Sequence, residues 1–153
     1  MSKPTIVNGW RLLFHPLFIG QMITLDAAAQ KALPDNPGNT NVKLFNQVSK
    51  LIMERIPTDP AGPEFRQGKT MGPLYKHWRR AKFGGNRFRL YFRYSEKDKL
   101  IAIVWMNDEK GMRKRGDRND PYVVFRKMLE SEEPPDSLDD LFKACKDGWK
   151  PPE

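Results

Sequence analysis

The stretch "WRRAKFGGNRFRLYFRYSEKDKLIAIVWM", residues 78–106, predicts three β-strands joined by two short turns. Aromatic and β-branched residues, which favour strands, are frequent in the segments 78–83, 87–95 and 99–106. A Gly-Gly pair at 84–85 suits a two-residue hairpin turn, and "SEKDK" supplies the second turn. Strands joined by such short turns run antiparallel, so this segment predicts an antiparallel meander.

Helical patterns lie on both sides of the meander. Apolar residues recur at three- and four-residue spacing in "NVKLFNQVSKLIMERI" (41–56), which is typical of an amphipathic helix. "PLFIGQMITLDAAAQKAL" (16–33) begins with a proline suited to a first helical turn, and "PYVVFRKMLE" follows Asp120, a favourable N-cap. A weakly alternating segment at 6–15 predicts one further strand. We therefore predict an α+β fold, in which a compact antiparallel β-sheet is flanked by N-terminal helices and a C-terminal helix.

The length of 153 residues suits a single domain that spans 1–153. Its last part, 130–153, is net acidic and is predicted to be a solvated extension with one short helix in "SLDDLFKACKD". Cys145 is the only cysteine, which excludes an internal disulfide and favours a reducing, cytoplasmic environment. The sequence has no run of 18 apolar residues and no signal-peptide pattern, so neither membrane spanning nor secretion is expected.

Positive charge is concentrated in one segment. The chain has 27 Lys and Arg against 19 Asp and Glu, a formal net charge of +8. Residues 66–93 hold nine of the basic residues and no acidic one, whereas the rest of the chain is almost neutral. A basic patch of this kind predicts a polyanionic partner such as a nucleic acid.

Strand alternation places much of the patch on one sheet face. Every second residue of 87–94 shares that face: Arg87, Arg89, Tyr91 and Arg93. A two-residue turn then predicts three cross-strand pairs, which are Lys82 with Arg87, Arg80 with Arg89, and Trp78 with Tyr91. A solvated strand face normally mixes charge signs, so the lack of acids favours an anion site over simple solvation. The two aromatic residues either stack on RNA bases or pack at the sheet edge.

The same residues offer a chemistry for RNA cleavage. RNA carries its own nucleophile, the 2′-OH, so cleavage needs a proton acceptor, cations for the charged transition state and a donor for the leaving oxygen. Lys82 is the candidate general base, because the neighbouring arginines disfavour its charged form. Arg80 and Arg89 are candidate electrostatic stabilisers, since arginine does not deprotonate. This set of residues would serve simple RNA binding equally well.

Other patterns carry less information. Two His distant in sequence and one Cys do not form a metal site, so we predict no metal or other cofactor. "GPEFRQGKT" differs from a P-loop because five residues, not four, separate its glycines. His77 lies on the opposite strand face from Lys82 and is a weaker catalytic candidate. The loop "KGMRKRGDR" brings Arg113 or Arg115 within reach of a bound phosphate, and Tyr122 is either a core-edge residue or a polar group near the site.

Four segments carry a family resemblance in combination. They are "WRRAKFGGNRFRLYFRYSEKDKLIAIVWMNDE", the preceding "FRQGKTMG", the N-terminal "VNGW" with "HP" soon after, and "DPYVVFRKML". Together they resemble the YhaV family, toxins of bacterial type II toxin–antitoxin systems within the RelE-like superfamily. The resemblance covers nearly the whole chain and is densest from 65 to 129. It implies a RelE-like fold, a compact antiparallel sheet flanked by helices.

The resemblance also implies an activity and partners. The expected protein is an endoribonuclease, an mRNA interferase that cleaves mRNA on translating ribosomes and arrests growth. The expected inhibitor is a PrlF-type antitoxin with an AbrB-like domain, and the complex of toxin and antitoxin would contact operator DNA. A non-catalytic RNA- or ribosome-binding module that uses the same basic patch is the alternative.

Matching to the superfamily assigns roles to individual residues. RelE-like toxins use Lys and Arg in place of a histidine pair. The candidate catalytic set is Arg80, Lys82, Arg89, Arg113 and Tyr122. The other basic and aromatic residues of the patch are predicted to bind RNA: Trp78, Arg87, Tyr91, Arg93 and Arg115. RelE itself has lysine where this chain has Arg80, which makes Lys82 the expected proton acceptor and leaves the acid unidentified.

Overall fold

The computed structural model describes residues 3–68 and 70–152. In chain order the strands are β1 Thr5–Val7, β2 Trp10–Phe14, β3 Arg79–Phe83, β4 Phe88–Ser95, β5 Leu100–Met106 and β6 Lys146–Asp147. The helices are α1 Pro16–Ala32, α2 Thr40–Lys50, α3 Ile56–Thr58, α4 Pro121–Glu130 and α5 Leu138–Ala144. A π-helical turn, Leu51–Arg55, makes α2 and α3 continuous. These helices confirm the segments predicted at 16–33 and 41–56 and the helix predicted after Asp120.

The sheet has the strand order β1-β2-β5-β4-β3, with β6 also paired to β2. The α+β class is confirmed, and β3, β4 and β5 form the antiparallel meander that the sequence predicts. The sheet as a whole is mixed, because β2 runs parallel to β5, with Leu12 opposite Ile101. Parallel pairing requires a long crossover connection, and the chain between β2 and β5 supplies one that contains α1 and α2.

The N-terminal segment predicted as one strand at 6–15 forms a hairpin instead. Asn8 and Gly9 both have positive φ, +51° and +82°, and they connect β1 to β2. Asn-Gly is the preferred sequence for a two-residue hairpin turn, because both central residues need positive φ. This turn signal was present in "VNGW" and explains why a single strand was the wrong prediction.

Both faces of the sheet are covered by helices. On one face, α1 and α2 pack over apolar residues that include Leu12, Leu90 and Ile103. On the other face, α4 and α5 cover a second cluster. That cluster consists of Met71, Trp78, Tyr91, Ala102, Val104, Tyr122, Phe125, Leu129 and Leu141. Helix α4 covers the part of the predicted cationic face that carries Trp78 and Tyr91, so only the remainder of that face is accessible.

The segment after Glu130 packs against the rest of the molecule. Leu141 of α5 is fully buried in the second cluster, and the Trp149 ring lies 4.7 Å from the Phe14 ring, centroid to centroid. Arg11 forms an ion pair with Asp147 next to the β2–β6 pairing. The short helix is confirmed, but the prediction of a solvated extension is wrong, because its apolar residues complete the core on both sheet faces. None of the helices described in 3–68 and 70–152 is long and apolar enough to cross a membrane.

Candidate active site

The β3–β4 hairpin sets the geometry of the site, and its register differs from the prediction. Arg80 lies opposite Tyr91, and Lys82 lies opposite Arg89. The turn contains four residues, 84–87, instead of two, so each predicted pairing is wrong by two positions. A shift of two residues keeps every side chain on its predicted face, because the strand period is two. Arg80, Lys82 and Arg89 therefore still share a face, whereas Arg87 is exposed in the turn.

Tyr122 connects the two arginines of this face. Its hydroxyl oxygen accepts hydrogen bonds from Arg80 Nε at 2.9 Å and from Arg89 Nε at 3.0 Å. Asp120 and Pro121 start α4 at this point, so Tyr122 lies in the first turn of the helix and reaches across the hairpin. Tyr122 is only 5% exposed and Arg89 is also buried, whereas Arg80 is half-buried, so the cluster extends from the core to the surface. Tyr122 is therefore both a residue at the edge of the core and a polar group near the site, so both alternatives from the sequence apply.

Arg89 is an almost fully buried cation, with 3% of its surface exposed. Its Nη1 donates to the carbonyl oxygens of Asn86 at 2.9 Å and Phe88 at 3.1 Å, and its guanidinium carbon lies 5.5 Å from the centre of the Tyr122 ring. A buried charge is tolerated only when hydrogen bonds satisfy it. These bonds also fix the orientation of the guanidinium plane.

Asn107 supports Arg89 and was not predicted from the sequence. Its Oδ1 accepts from the backbone N–H of Arg89 at 2.7 Å. Its Nδ2 donates to the carbonyl oxygens of Arg87 at 3.2 Å and Gly111 at 2.9 Å. The residue is buried directly after β5, so it joins the end of that strand to the start of β4 and to the loop that follows. The sequence signal for this role was the position of a polar residue directly after a predicted strand.

The basic loop after β5 contributes Arg113 to the site. Its Nη1 donates to Asp120 Oδ1 at 2.7 Å, and its guanidinium carbon lies 4.9 Å from the centre of the Tyr122 ring. Arg115 is exposed and makes no side-chain hydrogen bond or ion pair with the part of the chain that the structure describes. Of the two arginines left open by the sequence, the structure brings only Arg113 to Tyr122.

Lys82 is exposed beside an open cleft of about 390 Å³. The cleft lies between β3, the π-helical turn and the segment at 63–65. Arg80 forms part of its wall and donates from Nη1 to the Glu64 carbonyl oxygen at 2.6 Å. The face that Lys82 shares with Arg80 and Arg89 is therefore open at the sheet edge and closed by α4 further in.

Three residues predicted to bind RNA are sequestered. Trp78 and Tyr91 are fully buried and pack against Phe125, which leaves no ring face for a base, so the prediction that they stack on RNA is wrong. Arg93 donates to the Asp136 carbonyl oxygen and lies over the Trp78 ring at 5.6 Å. Burial lowers the pKa of Arg93, with the nearby Asp136 opposing the effect.

His77 also contacts the C-terminal segment. Its Nε2 lies 2.7 Å from Asp136 Oδ1, which accepts from Trp78 Nε1 at the same distance. Asp136 therefore ties the start of β3 to the loop between α4 and α5. His77 is engaged in this structural contact instead of facing Lys82.

Cys145 is not suited to act as a nucleophile. Burial raises the pKa of its thiol from 9.0 to about 12, so almost none of it is thiolate near neutral pH. Within residues 3–68 and 70–152, no group of three or more His, Cys, Asp or Glu is arranged to hold a metal ion.

Comparison with known proteins identifies the family. A family model described as a toxin with endonuclease activity, of a toxin–antitoxin system, matches residues 12–146. The chain belongs to the YhaV toxin family. The Escherichia coli K12 protein named ribonuclease toxin YhaV is 41% identical over 152 residues, which is 96% of this chain and 99% of that protein. Toxin YhaV of E. coli O6:H1 is 42% identical over 146 residues, 92% of this chain and 95% of that protein.

Membership in the YhaV family confirms the resemblance seen in the sequence. It makes the chain an endonuclease toxin of a toxin–antitoxin system and implies an antitoxin as partner. No solved structure matches the chain. The roles of individual residues stay predictions, because the comparisons do not address them. The contacts around Tyr122 show which of these residues lie together.

Proposed function

We propose that this YhaV-family chain is an endoribonuclease that cleaves mRNA on translating ribosomes by attack of the 2′-OH on the adjacent phosphate. The observation that carries the proposal is the pair of guanidinium groups held on the Tyr122 hydroxyl, with Lys82 exposed on the same face. Such a cluster supplies cations and proton-transfer groups without a metal ion. The name of the K12 relative, ribonuclease toxin, supports RNA as the substrate.

Lys82 is the proposed proton acceptor. Its side chain is exposed beside the cleft and lies opposite Arg89, so an RNA strand along the β3 edge would reach it directly. In its neutral form the amine takes the proton of the 2′-OH while the new 2′-O–P bond forms. The P–O5′ bond then breaks, leaving a cyclic 2′,3′-phosphate and a 5′-hydroxyl. Arg80, Arg89 and Arg113 would stabilise the additional negative charge on the phosphate oxygens.

Tyr122 is the proposed proton donor to the leaving 5′-oxygen. Its oxygen already accepts two N–H groups, which occupies both lone pairs. The remaining hydroxyl hydrogen is therefore free to be donated to a third partner. Arg80 and Arg89 thereby fix the position of the Tyr122 oxygen, so its O–H can be aimed at the leaving 5′-oxygen.

The exposed arginines of the turn and loop are proposed to hold the RNA backbone. Arg87 in the β3–β4 turn and Arg115 in the loop before α4 lie outside the buried cluster. They would contact flanking phosphates and contribute affinity that falls with salt. Arg93, which is held by Asp136 and Trp78, is not part of this set.

The proposed partners follow from the family. We propose a PrlF-type antitoxin with an AbrB-like domain, contact with operator DNA through the antitoxin complex, and a cytoplasmic location together with the ribosome. The family description, a toxin of a toxin–antitoxin system, supports an antitoxin as partner. The net charge of +8 and its concentration in 66–93 support a polyanionic target.

Mapping of mRNA ends in a translating extract tests the proposal. We expect the wild-type protein to produce new ends within translated messages, and Lys82→Ala to reduce cleavage roughly 100-fold or more while ribosome binding changes little. Lys31→Ala is the matched control, because Lys31 is an exposed lysine on α1, which packs on the other sheet face. Intact messages at every dose of wild-type protein, with ribosomes still bound by it, would support the alternative of a non-catalytic binding module.

A further inference from the structure

Asp120 makes more contacts than a helix N-cap needs. Its Oδ2 accepts from the backbone N–H of Tyr122 at 3.1 Å, which is the normal capping bond. Its Oδ1 accepts from Arg113 Nη1 and from the backbone N–H of Lys114, both at 2.7 Å. A serine or asparagine would cap the helix equally well, so capping does not require the negative charge of Asp120. The charge therefore has a second role.

The carboxylate is buried, with only 2% of the residue exposed. A buried carboxylate is costly unless charges and hydrogen bonds compensate it. The compensation here comes from Arg113, whose side chain is 25% exposed and is thereby fixed at the edge of the cluster. The ion pair therefore adds a charged anchor for the Arg113 guanidinium to its contact with the Tyr122 ring.

The two oxygens of Asp120 act on two different residues of the site. One oxygen fixes Arg113, whose guanidinium carbon lies 4.9 Å from the centre of the Tyr122 ring. The other sets the start of α4 and so the position of Tyr122. Because the Tyr122 hydroxyl holds Arg80 and Arg89, the carboxylate is connected to all three arginines of the site.

We propose that Asp120 is a positioning residue for the cleavage reaction. It acts through Arg113 and Tyr122 and does not touch the RNA. The inference rests on the proposed ribonuclease function and adds a residue to which no role in the reaction had been assigned. The negative charge of Asp120 orients the Arg113 guanidinium towards the phosphate that the cluster receives.

The test compares Asp120→Asn with Asp117→Asn in the translating extract, using kcat and KM for a single reporter message. Asp120→Asn retains a capping side chain and removes the charge. Asp117 lies in the same loop and accepts from the Asn119 N–H at 2.8 Å, without a contact to the arginines. We expect Asp120→Asn to lower kcat roughly 10- to 100-fold with KM changed less than about twofold, and Asp117→Asn to cleave like the wild type.

A double-mutant cycle separates positioning from general stability. If Asp120 acts through Arg113, Asp120→Asn adds little to the loss already caused by Arg113→Ala. The inference would be overturned if the double variant lost kcat by the product of the two single losses, or if Asp120→Asn kept full activity. In either case cleavage by the wild-type protein would leave the proposed function intact. Unfolding of both Asp120→Asn and Asp120→Ser at the assay temperature would assign the residue a structural role only and also overturn it. Absence of cleavage by the wild type would reject the proposed function itself, and the inference with it.

Discussion

Tyr122 and Tyr91 pack edge to face, with ring centroids 6.0 Å apart, but their hydroxyl groups have opposite environments. The Tyr122 oxygen accepts from two arginines. The Tyr91 hydroxyl is buried and has no hydrogen-bond partner within residues 3–68 and 70–152. Burial raises the pKa of Tyr91 well above its usual value, so the phenol stays neutral in the folded protein. The two residues therefore form a natural pair for measuring what a hydroxyl group contributes at this site.

Phenylalanine substitutions should separate the two tyrosines. Tyr122→Phe leaves guanidinium N–H groups of Arg80 and Arg89 without their acceptor, so we expect a loss of about 1–3 kcal/mol in the free energy of unfolding and roughly 100-fold less cleavage. Tyr91→Phe removes an unpaired hydroxyl, so we expect stability within about 0.5 kcal/mol of the wild type, or higher, and normal cleavage. Urea unfolding and end mapping measure both quantities.

The pH dependence provides a second readout for the same pair. Because the folded-state pKa of Tyr91 is raised, its neutral form stabilises the fold below pH ~10, the value for an unfolded tyrosine, and that contribution is lost as the pH rises further. Tyr91→Phe should remove this alkaline loss. Equal losses of stability and activity in the two variants would contradict the distinction between the hydroxyl groups.

At the scale of the element, the β3–β4 turn determines where Arg89 lies. Gly84, Gly85 and Asn86 have φ of +59°, +66° and +69°, and this run of positive φ makes a four-residue turn. The Asn86 carbonyl oxygen accepts from Arg89 Nη1, so the turn backbone is itself part of the site. The Gly-Gly pair gave the correct location of the turn but not its length, because two glycines fit several turn types.

Alanine substitutions at the two glycines should have unequal costs. A Cβ on Gly84 would lie 2.5 Å from Phe88 Cδ2 and 2.9 Å from Leu44 Cδ2, whereas one on Gly85 would meet nothing within 4 Å. Positive φ alone costs alanine about 1–2 kcal/mol, so this is the expected loss for Gly85→Ala. The steric overlap adds about 1–3 kcal/mol for Gly84→Ala.

Differential scanning calorimetry of the two variants checks the order of the losses. Gly84→Ala should also lower cleavage more than Gly85→Ala, because a displaced turn moves the Asn86 carbonyl that holds Arg89. A smaller loss of stability in Gly84→Ala than in Gly85→Ala would show that the ring of Phe88 moves aside at little cost.

At the scale of the molecule, local patterns predicted the elements better than their assembly. Helices α1, α2 and α4 and the strands of the meander have clear periodicity and capping signals, so their positions followed from the sequence. The parallel pairing of β2 with β5 joins segments almost ninety residues apart (Arg11 pairs with Leu100), and no local pattern encodes such a contact. The burial of Trp78 and Tyr91 likewise depends on α4, which comes later in the chain.

The candidate site was likewise predicted in part, since the face that carries it followed from the sequence but its supporting contacts did not. Strand alternation and the predicted hairpin pairing together placed Arg80, Lys82 and Arg89 on one face. The placement is correct despite the error in register, because the error was two residues and the strand period is also two. Asp120 was recognised only as a helix cap, and Asn107 was not recognised at all. Their roles depend on hydrogen bonds to Arg113, Tyr122 and Arg89, which are set by tertiary packing.

The C-terminal segment provides a test at the molecular scale. We propose that 1–153 folds as one domain, since Leu141 and Trp149 complete the two apolar clusters on opposite sheet faces. The full chain should then unfold in one cooperative transition, with circular dichroism and tryptophan fluorescence giving the same midpoint. Leu141→Ala should cost about 2–5 kcal/mol because it leaves a cavity at a fully buried position. Lys143→Ala, at an exposed position on the same helix, should cost less than about 0.5 kcal/mol.

Deletion of residues 131–153 extends the same test. It removes Leu141, the Trp149 ring on Phe14 and the Asp136 carboxylate that holds Trp78 Nε1, so both sheet faces lose part of their cover. We expect a loss larger than that of Leu141→Ala, more than about 4 kcal/mol in the free energy of unfolding. Cleavage should fall with it, because Trp78 and Phe125 support the face on which Tyr122 packs. An unchanged unfolding midpoint would instead show that the contacts of 131–153 contribute little to stability and that residues up to Glu130 are sufficient for a stable core.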